Sequence, residues 1–416
     1  MSQTIPVTVL SGTLGAGKTT VLNHVLGGDH GMEVAVLVND VGEVNVDAEI
    51  VEKRTDDEEV VELSNGCICC GLQSELEHAV FELAMDHEFE YLLIEPSGIS
   101  EPAPVAQQFV EGRPSTMYSL QSVTTVVNAR QFYDAFEDGR PERYGEDEDG
   151  TRPLSDLIVE GIEFCDTLIL NKTDLVTDAE LEAIRTDIRT LQPDATIIPT
   201  EYGQVDPAEF LEGRRFDRDA VERGARWRKV LDREENEAGH EHGRADHEGD
   251  HGNHDHDHSH DEEDHDHVHP PEEYGVDSFV YHRAEPMHPD RLADFLRETP
   301  ESLLRAKGWL HVAGRPDHAL ELSLAGQQTQ VTVAGRWIAS FSESRRKQYR
   351  ERHDPNWTDE YGDRETRLVL IGRKMDTEWV EKRLDGCLLG SEELDVSAGN
   401  PFPEREGATL RLPAEY

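Results

Sequence analysis

Short runs of Val, Ile and Leu punctuate the first 210 or so residues, at 6–10, 34–38, 91–94, 123–127, 167–170 and 196–198. Between several of them apolar residues return at helical spacing, as Leu76, Ala79, Val80, Leu83 and Ala84 do. Runs that are apolar throughout, with no polar alternation, predict strands covered on both faces, which is the signature of a parallel sheet flanked by helices. The first part of the chain is therefore expected to be an α/β domain with a mostly parallel sheet.

The pattern stops near residue 216. From there to about 273 the chain is polar and carries the run HGNHDHDHSHDEEDHDHVH. Too little apolar surface is available there to offset chain entropy, so the segment reads as a disordered His/Asp-rich linker. Strand signals return at 278–281, 309–312, 320–324, 330–333 and 367–371, with helical spacing at 288–296 and 377–384. That mixed order predicts a smaller α+β domain. The last residues, with Pro, Gly and Glu, read as a loose acidic tail. The expected organisation is 1–215, a linker at 216–273, a second domain at 274–390 and a tail at 391–416, with no internal repeat.

Charge changes the picture next. Acidic residues number 88 against 40 basic ones, a formal net charge of −48. Such a surface repels nucleic acid and anionic membranes, so neither is an expected partner. The acid is spread over helix faces and loops alike, as expected of a protein adapted to a salt-rich, halophilic cytoplasm in which the self-repulsion is screened. The N-terminus has no basic region ahead of its apolar run, and no run is long enough to span a membrane. Five cysteines, three of them clustered, do not make a disulfide framework. A cytoplasmic location is expected, and self-association is left open.

The first run is followed by GTLGAGKTT, which satisfies the phosphate-loop pattern. Gly12, Gly15 and Gly17 let backbone N–H groups turn toward phosphate oxygens. Lys18 reaches the β- and γ-phosphates, the Thr19 hydroxyl ligates Mg²⁺, and Thr20 continues the helix whose positive end faces the anion. Farther on, LILNKTD places Asn171, Lys172 and Asp174 after a strand. A carboxylate there can accept from both N1–H and the 2-amino group of guanine, which selects GTP over ATP, and Lys172 can lie along base and ribose. Between them, YLLIEPSG puts Glu95 at a strand end, as a metal-side carboxylate, and Gly98 where an N–H can report the γ-phosphate. The segment VNDVGEVNVD, residues 38–47, contains Asp40 and Glu43 and is placed to be a switch loop. No arginine finger is evident, so slow intrinsic hydrolysis is expected.

The knot GCICC, residues 66–70, lies between an expected strand at 60–63 and the helix carrying Leu76 and Val80. A helix N-terminus favours thiolates, and three thiolates fill three corners of a zinc tetrahedron. An open fourth corner suits a site that holds a metal and gives it up. A structural cluster closed by a distant ligand and a redox pair are the alternatives. Cys165 and Cys387 sit in apolar segments and read as core residues, and His24, His288 and His311 as structural ones.

In this order, GAGKTT, the Asn-acidic-x-Gly-Glu switch, GCxCC, ExSG and NKxD resemble the CobW-type metallochaperone GTPases of the CobW/HypB/UreG superfamily. HPDRLADFL, LLRAKGWLHVAG, RLVLIGRKMD and LDGCLL are similar to that family's C-terminal domain. The resemblance implies a P-loop GTPase domain, GTP and Mg²⁺ as ligands, and delivery of a metal, usually zinc, to client metalloproteins. It implies that Cys67, Cys69 and Cys70 are the zinc thiolates, with Glu43 as a switch-linked fourth ligand. The family usually has Glu where this chain has Asp40. A cobalt-handling branch serving cobalamin synthesis, with Co²⁺ as the metal, and a non-catalytic metal buffer are the alternatives. The linker holds 11 of the chain's 20 histidines. Imidazoles interleaved with carboxylates bind divalent transition metals loosely, so a metal-collecting tether is expected, with a plain solvated tether as the alternative.

Overall fold

The computed structural model describes residues 4–28, 31–38, 60–62, 73–96, 102–136, 143–144, 152–212, 216, 276–350, 357–390, 393 and 399–412. In chain order the strands are β1 (Ile5–Gly12), β2 (Val34–Val38), β3 (Val60–Glu62), β4 (Tyr91–Glu95), β5 (Tyr118–Asn128), β6 (Arg143–Tyr144), β7 (Arg152–Pro153), β8 (Thr167–Asn171), β9 (Thr196–Pro199), β10 (Val276–Arg283), β11 (Leu303–Leu310), β12 (His318–Ala325), β13 (Gln328–Arg336), β14 (Thr366–Arg373) and β15 (Thr409–Leu412). The helices are α1 (Lys18–Leu26), α2 (Gln73–Asp86), α3 (Pro102–Val110), α4 (Ala129–Phe136), α5 (Leu154–Phe164), α6 (Asp178–Leu191), α7 (Pro207–Glu212), α8 (Pro289–Arg297), α9 (Glu343–Arg350) and α10 (Thr377–Asp385).

Seven strands form the first sheet in the order β3-β2-β4-β1-β5-β8-β9, and every neighbouring pair is parallel. β2, β4 and β8 are buried along their whole length, as their unbroken apolar runs predict. Helices cover both faces. α1 closes one face over Leu10, Val36, Leu93 and Ile169, and α2 and α3 close the other over Val7, Val9, Leu92 and Val123. With β1 at the centre, the loops after β1, β4, β5 and β8 gather at one end of the sheet.

The second sheet has six antiparallel strands in the order β10-β14-β11-β12-β13-β15. α8 and α10 pack Leu292, Phe295, Leu296, Val380 and Leu384 onto one face. The opposite face lies against α5 and α6 of the first sheet's layer, where Leu304 and Ala325 join a core built of Ile158, Ile162, Ile184 and Ile188. The two sheets thus share one of the chain's apolar clusters.

Two expectations are corrected here. The strand expected at 309–312 runs instead from Leu303 to Leu310. Its start carries Arg305 and Lys307, which interrupt the apolar run. Both face acids on α5: Arg305 Nη1 lies 2.8 Å from Asp156 and Lys307 Nζ 3.6 Å from Glu160. The tail is the second correction. Phe402 is 1% exposed in the second core, and β15 pairs with β13 from Thr329↔Leu412 to Thr332↔Thr409. Too few apolar residues surround these two to signal an element, yet a neighbouring edge strand supplies the ladder. The linker from 217 onward lies outside the described residues. Cys165 and Cys387 are free and buried, as expected of core thiols. His311 is also buried, and burial pushes its ring down to about 4, so it stays neutral while Nδ1 lies 2.9 Å from the Ala284 carbonyl.

Candidate functional site: a phosphate loop and the strand ends around it

β1 ends on Gly12, whose φ of +144° favours glycine; a Cβ there would lie 2.3 Å from the Val126 carbonyl oxygen of β5. The chain then turns through Gly15 (φ +74°) and Gly17 (φ +102°) into α1, which begins at Lys18. A Cβ on Gly17 would lie 2.4 Å from Asn171 Nδ2. The loop is therefore pressed against two neighbouring strand ends, and these close approaches need glycine.

Lys18 is only 8% exposed. Its Nζ donates to the Gly12 carbonyl at 3.0 Å and the Thr13 carbonyl at 3.5 Å, and lies 3.8 Å from Glu95 Oε1. Glu95 ends β4, the strand beside β1, with Val9 paired to Ile94. A buried ammonium and a buried carboxylate thus face each other across the mouth of the loop, with Thr19 one residue away. These donors fit a nucleotide triphosphate and a hard divalent cation: a lysine, a hydroxyl, a carboxylate and a backbone turn at a helix start.

Asn171 and Lys172 clasp the loop from the β8 side. The Asn171 side chain is buried, donating from Nδ2 to the Ala16 carbonyl at 3.0 Å and accepting at Oδ1 from the Gly203 N–H at 3.0 Å. Lys172 takes a left-handed backbone (φ 60°), and its Nζ donates to the Gly15 carbonyl at 2.7 Å. Asp174 sits on the short 3₁₀ turn Thr173–Leu175 and is exposed, leaving its carboxylate open to a ligand. Thr20 is also exposed, on the first turn of α1. Asp40, Glu43, Cys67, Cys69, Cys70 and Gly98 lie outside the described residues.

Sequence reasoning missed the loop after β9. Thr200 donates from its N–H to the Leu170 carbonyl and accepts at its own carbonyl from the Thr173 N–H. Gly203, at φ +67°, approaches α1 so closely that a Cβ would lie 3.0 Å from Val21 N. The usable signal was TEYG directly after a strand, a turn with glycine at its end. Asn128 was missed too: at the end of β5 its Oδ1 accepts from the Arg130 and Gln131 N–H groups and starts α4 beside the phosphate loop.

Comparison with known proteins assigns this arrangement. The sequence pattern of the CobW/HypB/UreG nucleotide-binding domain matches residues 6–199, and that of the cobalamin synthesis protein cobW C-terminal domain matches 276–388. The zinc-regulated GTPase metalloprotein activator 1 of Dictyostelium discoideum is 32% identical over 421 aligned residues, covering 94% of this chain and 81% of its own. The chain belongs to the CobW family. A zinc chaperone CobW of Pseudomonas aeruginosa is 33% identical over 50% of this chain and 60% of its own length. The zinc chaperone YjiA of Escherichia coli is 31% identical over 49% of this chain and 59% of its own. The CobW nucleotide-binding domain corresponds to the parallel sheet with its phosphate loop, and the CobW C-terminal domain to the antiparallel sheet. As a CobW protein the chain is a P-loop GTPase. Among the described residues no helix is long and apolar enough to cross a membrane.

Proposed function

We propose that this CobW-family GTPase is a zinc chaperone, which takes up the metal at its cysteine motif and passes it to client metalloproteins in a step timed by GTP. The observation that carries the reading is the meeting of Lys18, Glu95, Asn171 and Lys172 at one loop, although they come from the start of α1 and the ends of β4 and β8. Two relatives named for zinc, together with GCICC, support zinc as the cargo.

Gly12, Gly15 and Gly17 shape the loop whose N–H groups receive the phosphates, and Thr20 continues it into α1. Lys18 exchanges its carbonyl partners for β- and γ-phosphate oxygens. Thr19 and Glu95 would hold Mg²⁺, which when bound neutralises charge developing on the transferred phosphoryl group. Asp40 and Gly98 belong to the segments that report the γ-phosphate. Cys67, Cys69 and Cys70, with Glu43, hold the zinc that is cargo.

Asp174 reads guanine by accepting its two donors, and an amide in its place would present one donor to another. Asp174→Asn is expected to weaken GTP binding about 10- to 100-fold, the worth of charge-assisted hydrogen bonds lost, and to narrow GTP-over-ATP selectivity. Competition of the two nucleotides against a fluorescent GTP analogue measures it, and unchanged selectivity would remove Asp174 from base reading.

The chaperone reading itself is tested by coupling. Zinc is titrated against a chelator with a non-hydrolysable GTP analogue or with GDP, in the wild type and in Glu43→Ala. Affinities are expected to differ between nucleotide states by about 1–3 kcal/mol, with zinc shifting nucleotide affinity by the same factor. Equal zinc affinities in both states would sink the coupling. A difference surviving in Glu43→Ala would keep it but remove Glu43 from it.

A further inference from the structure

Helix α9 has no buried residue. A helix normally stays on a domain by burying an apolar stripe, and α9 buries none: its described ring contacts are those of Tyr349 and Arg345 with Phe341 and of Arg350 with Trp357. Four of its eight residues are cationic, Arg345, Arg346, Lys347 and Arg350, against the single acid Glu343. This occurs in a chain with 88 acidic and 40 basic residues. Among the described residues none of the four cations is ion-paired with a carboxylate.

The surroundings are aromatic. The guanidinium groups of Arg336 and Arg345 lie 5.8 and 5.9 Å from the Phe341 ring centre, and that of Arg350 lies 4.3 Å over Trp357. A guanidinium stacked on a ring keeps its N–H edge free, in a fork that matches a carboxylate.

We infer that α9 and the aromatic edge beside it form a docking face for an acidic polypeptide segment, a stretch of Asp and Glu carried by a partner protein. Charge complementarity names the occupant: this is a cationic face on a chain of net charge −48. A nucleic acid fits less well, because its phosphates continue past the patch over a surface of their own sign. A second copy in two-fold contact would set α9 against α9, cation on cation.

The test titrates the full-length protein with a fluorescein-labelled oligo-glutamate peptide and, separately, with an oligothymidine of matched length, at low and at high salt. The wild type is expected to bind the peptide, more weakly as salt rises. R345E/R350E is expected to lose about tenfold or more in affinity as bidentate partners become repulsive. GTP hydrolysis stays unchanged, since neither side chain belongs to the nucleotide site, and the melting temperature falls only by the loss of two exposed cation–π contacts. R345Q/R350Q removes charge without reversal and is expected to fall between the two, a check should the reversal disturb folding. Absent peptide binding, undiminished binding by both variants, or tighter binding of the oligothymidine would each overturn the proposal. So would a dimer in sedimentation that R345E/R350E dissolves, since the face would then belong to a second copy.

Discussion

Lys18→Ala is expected to reduce GTP turnover by at least about 100- to 1,000-fold, the usual effect of deleting one donor aimed at developing charge. Lys18 lies at the mouth of the phosphate loop, 3.0 Å from the Gly12 carbonyl and 3.8 Å from Glu95. Its removal takes away the charge facing the β- and γ-phosphates and also leaves the buried Glu95 facing an emptied space. The two consequences separate experimentally. Single-turnover phosphate release with saturating GTP reads the chemistry, and thermal melting without nucleotide reads the loss of the Lys18–Glu95 contact. Lys18→Arg keeps the charge but changes its shape, so melting should recover more than turnover. Turnover within a few-fold of wild type in Lys18→Ala would mean that the phosphates are held elsewhere.

Arg305→Ala is expected to cost about 3–5 kcal/mol of stability, the usual penalty for breaking a buried ion pair from one side. Arg305 is 0% exposed and bridges the two sheets' layers. Its Nη1 donates to Asp156 at 2.8 Å and to Ser323 Oγ at 2.9 Å, and its Nε donates to Glu163 at 3.2 Å. Burial alone would lower its basicity, but Glu163 and Asp156 outweigh that, and the net shift is upward. Burial pushes the Glu163 carboxyl up, and Arg305 is its main counterweight. Without the guanidinium, the Glu163 carboxyl keeps its burial and loses its main counterweight. It takes up a proton in the folded protein at higher pH than in the unfolded chain. The deficit is therefore full at neutral pH and narrows as pH falls toward the ordinary carboxylate range. Urea denaturation of wild type and variant at neutral and mildly acidic pH measures both effects. A loss under about 1 kcal/mol would place the pair near break-even, where its desolvation cancels its attraction.

The nucleotide end was legible in the sequence because its chemistry is local. A phosphate loop needs glycines and a lysine at set spacings within nine residues, and the order GTLGAGKTT is readable without a fold. The strands were legible for a similar reason: 34–38 and 91–94 are apolar throughout, and only a sheet covered on both faces uses such runs. Relations between distant residues were not legible. Asn171 shows in the sequence as part of a base-reading string, and only the folded chain puts its amide between Ala16 and Gly203. Gly203 belongs to a loop that no local motif marked.

By itself the sequence determined an α/β nucleotide-binding unit, a second mixed unit and a phosphate-loop pattern, because backbone conformation and burial leave their mark at short range. Only the tertiary structure decided how the halves meet. Asp156, Glu160 and Glu163 share one face of α5, at i, i+4 and i+7, and Arg305 and Lys307 share one face of β11, two residues apart. Read alone, each set looks like solvated charge. Packed together they pair with one another in a seam beside Leu304 and Ala325. Charge on a strand or a helix face says that a side chain needs a polar partner, and whether that partner is water or an opposite charge well over a hundred positions away is settled only when the two surfaces are brought into contact.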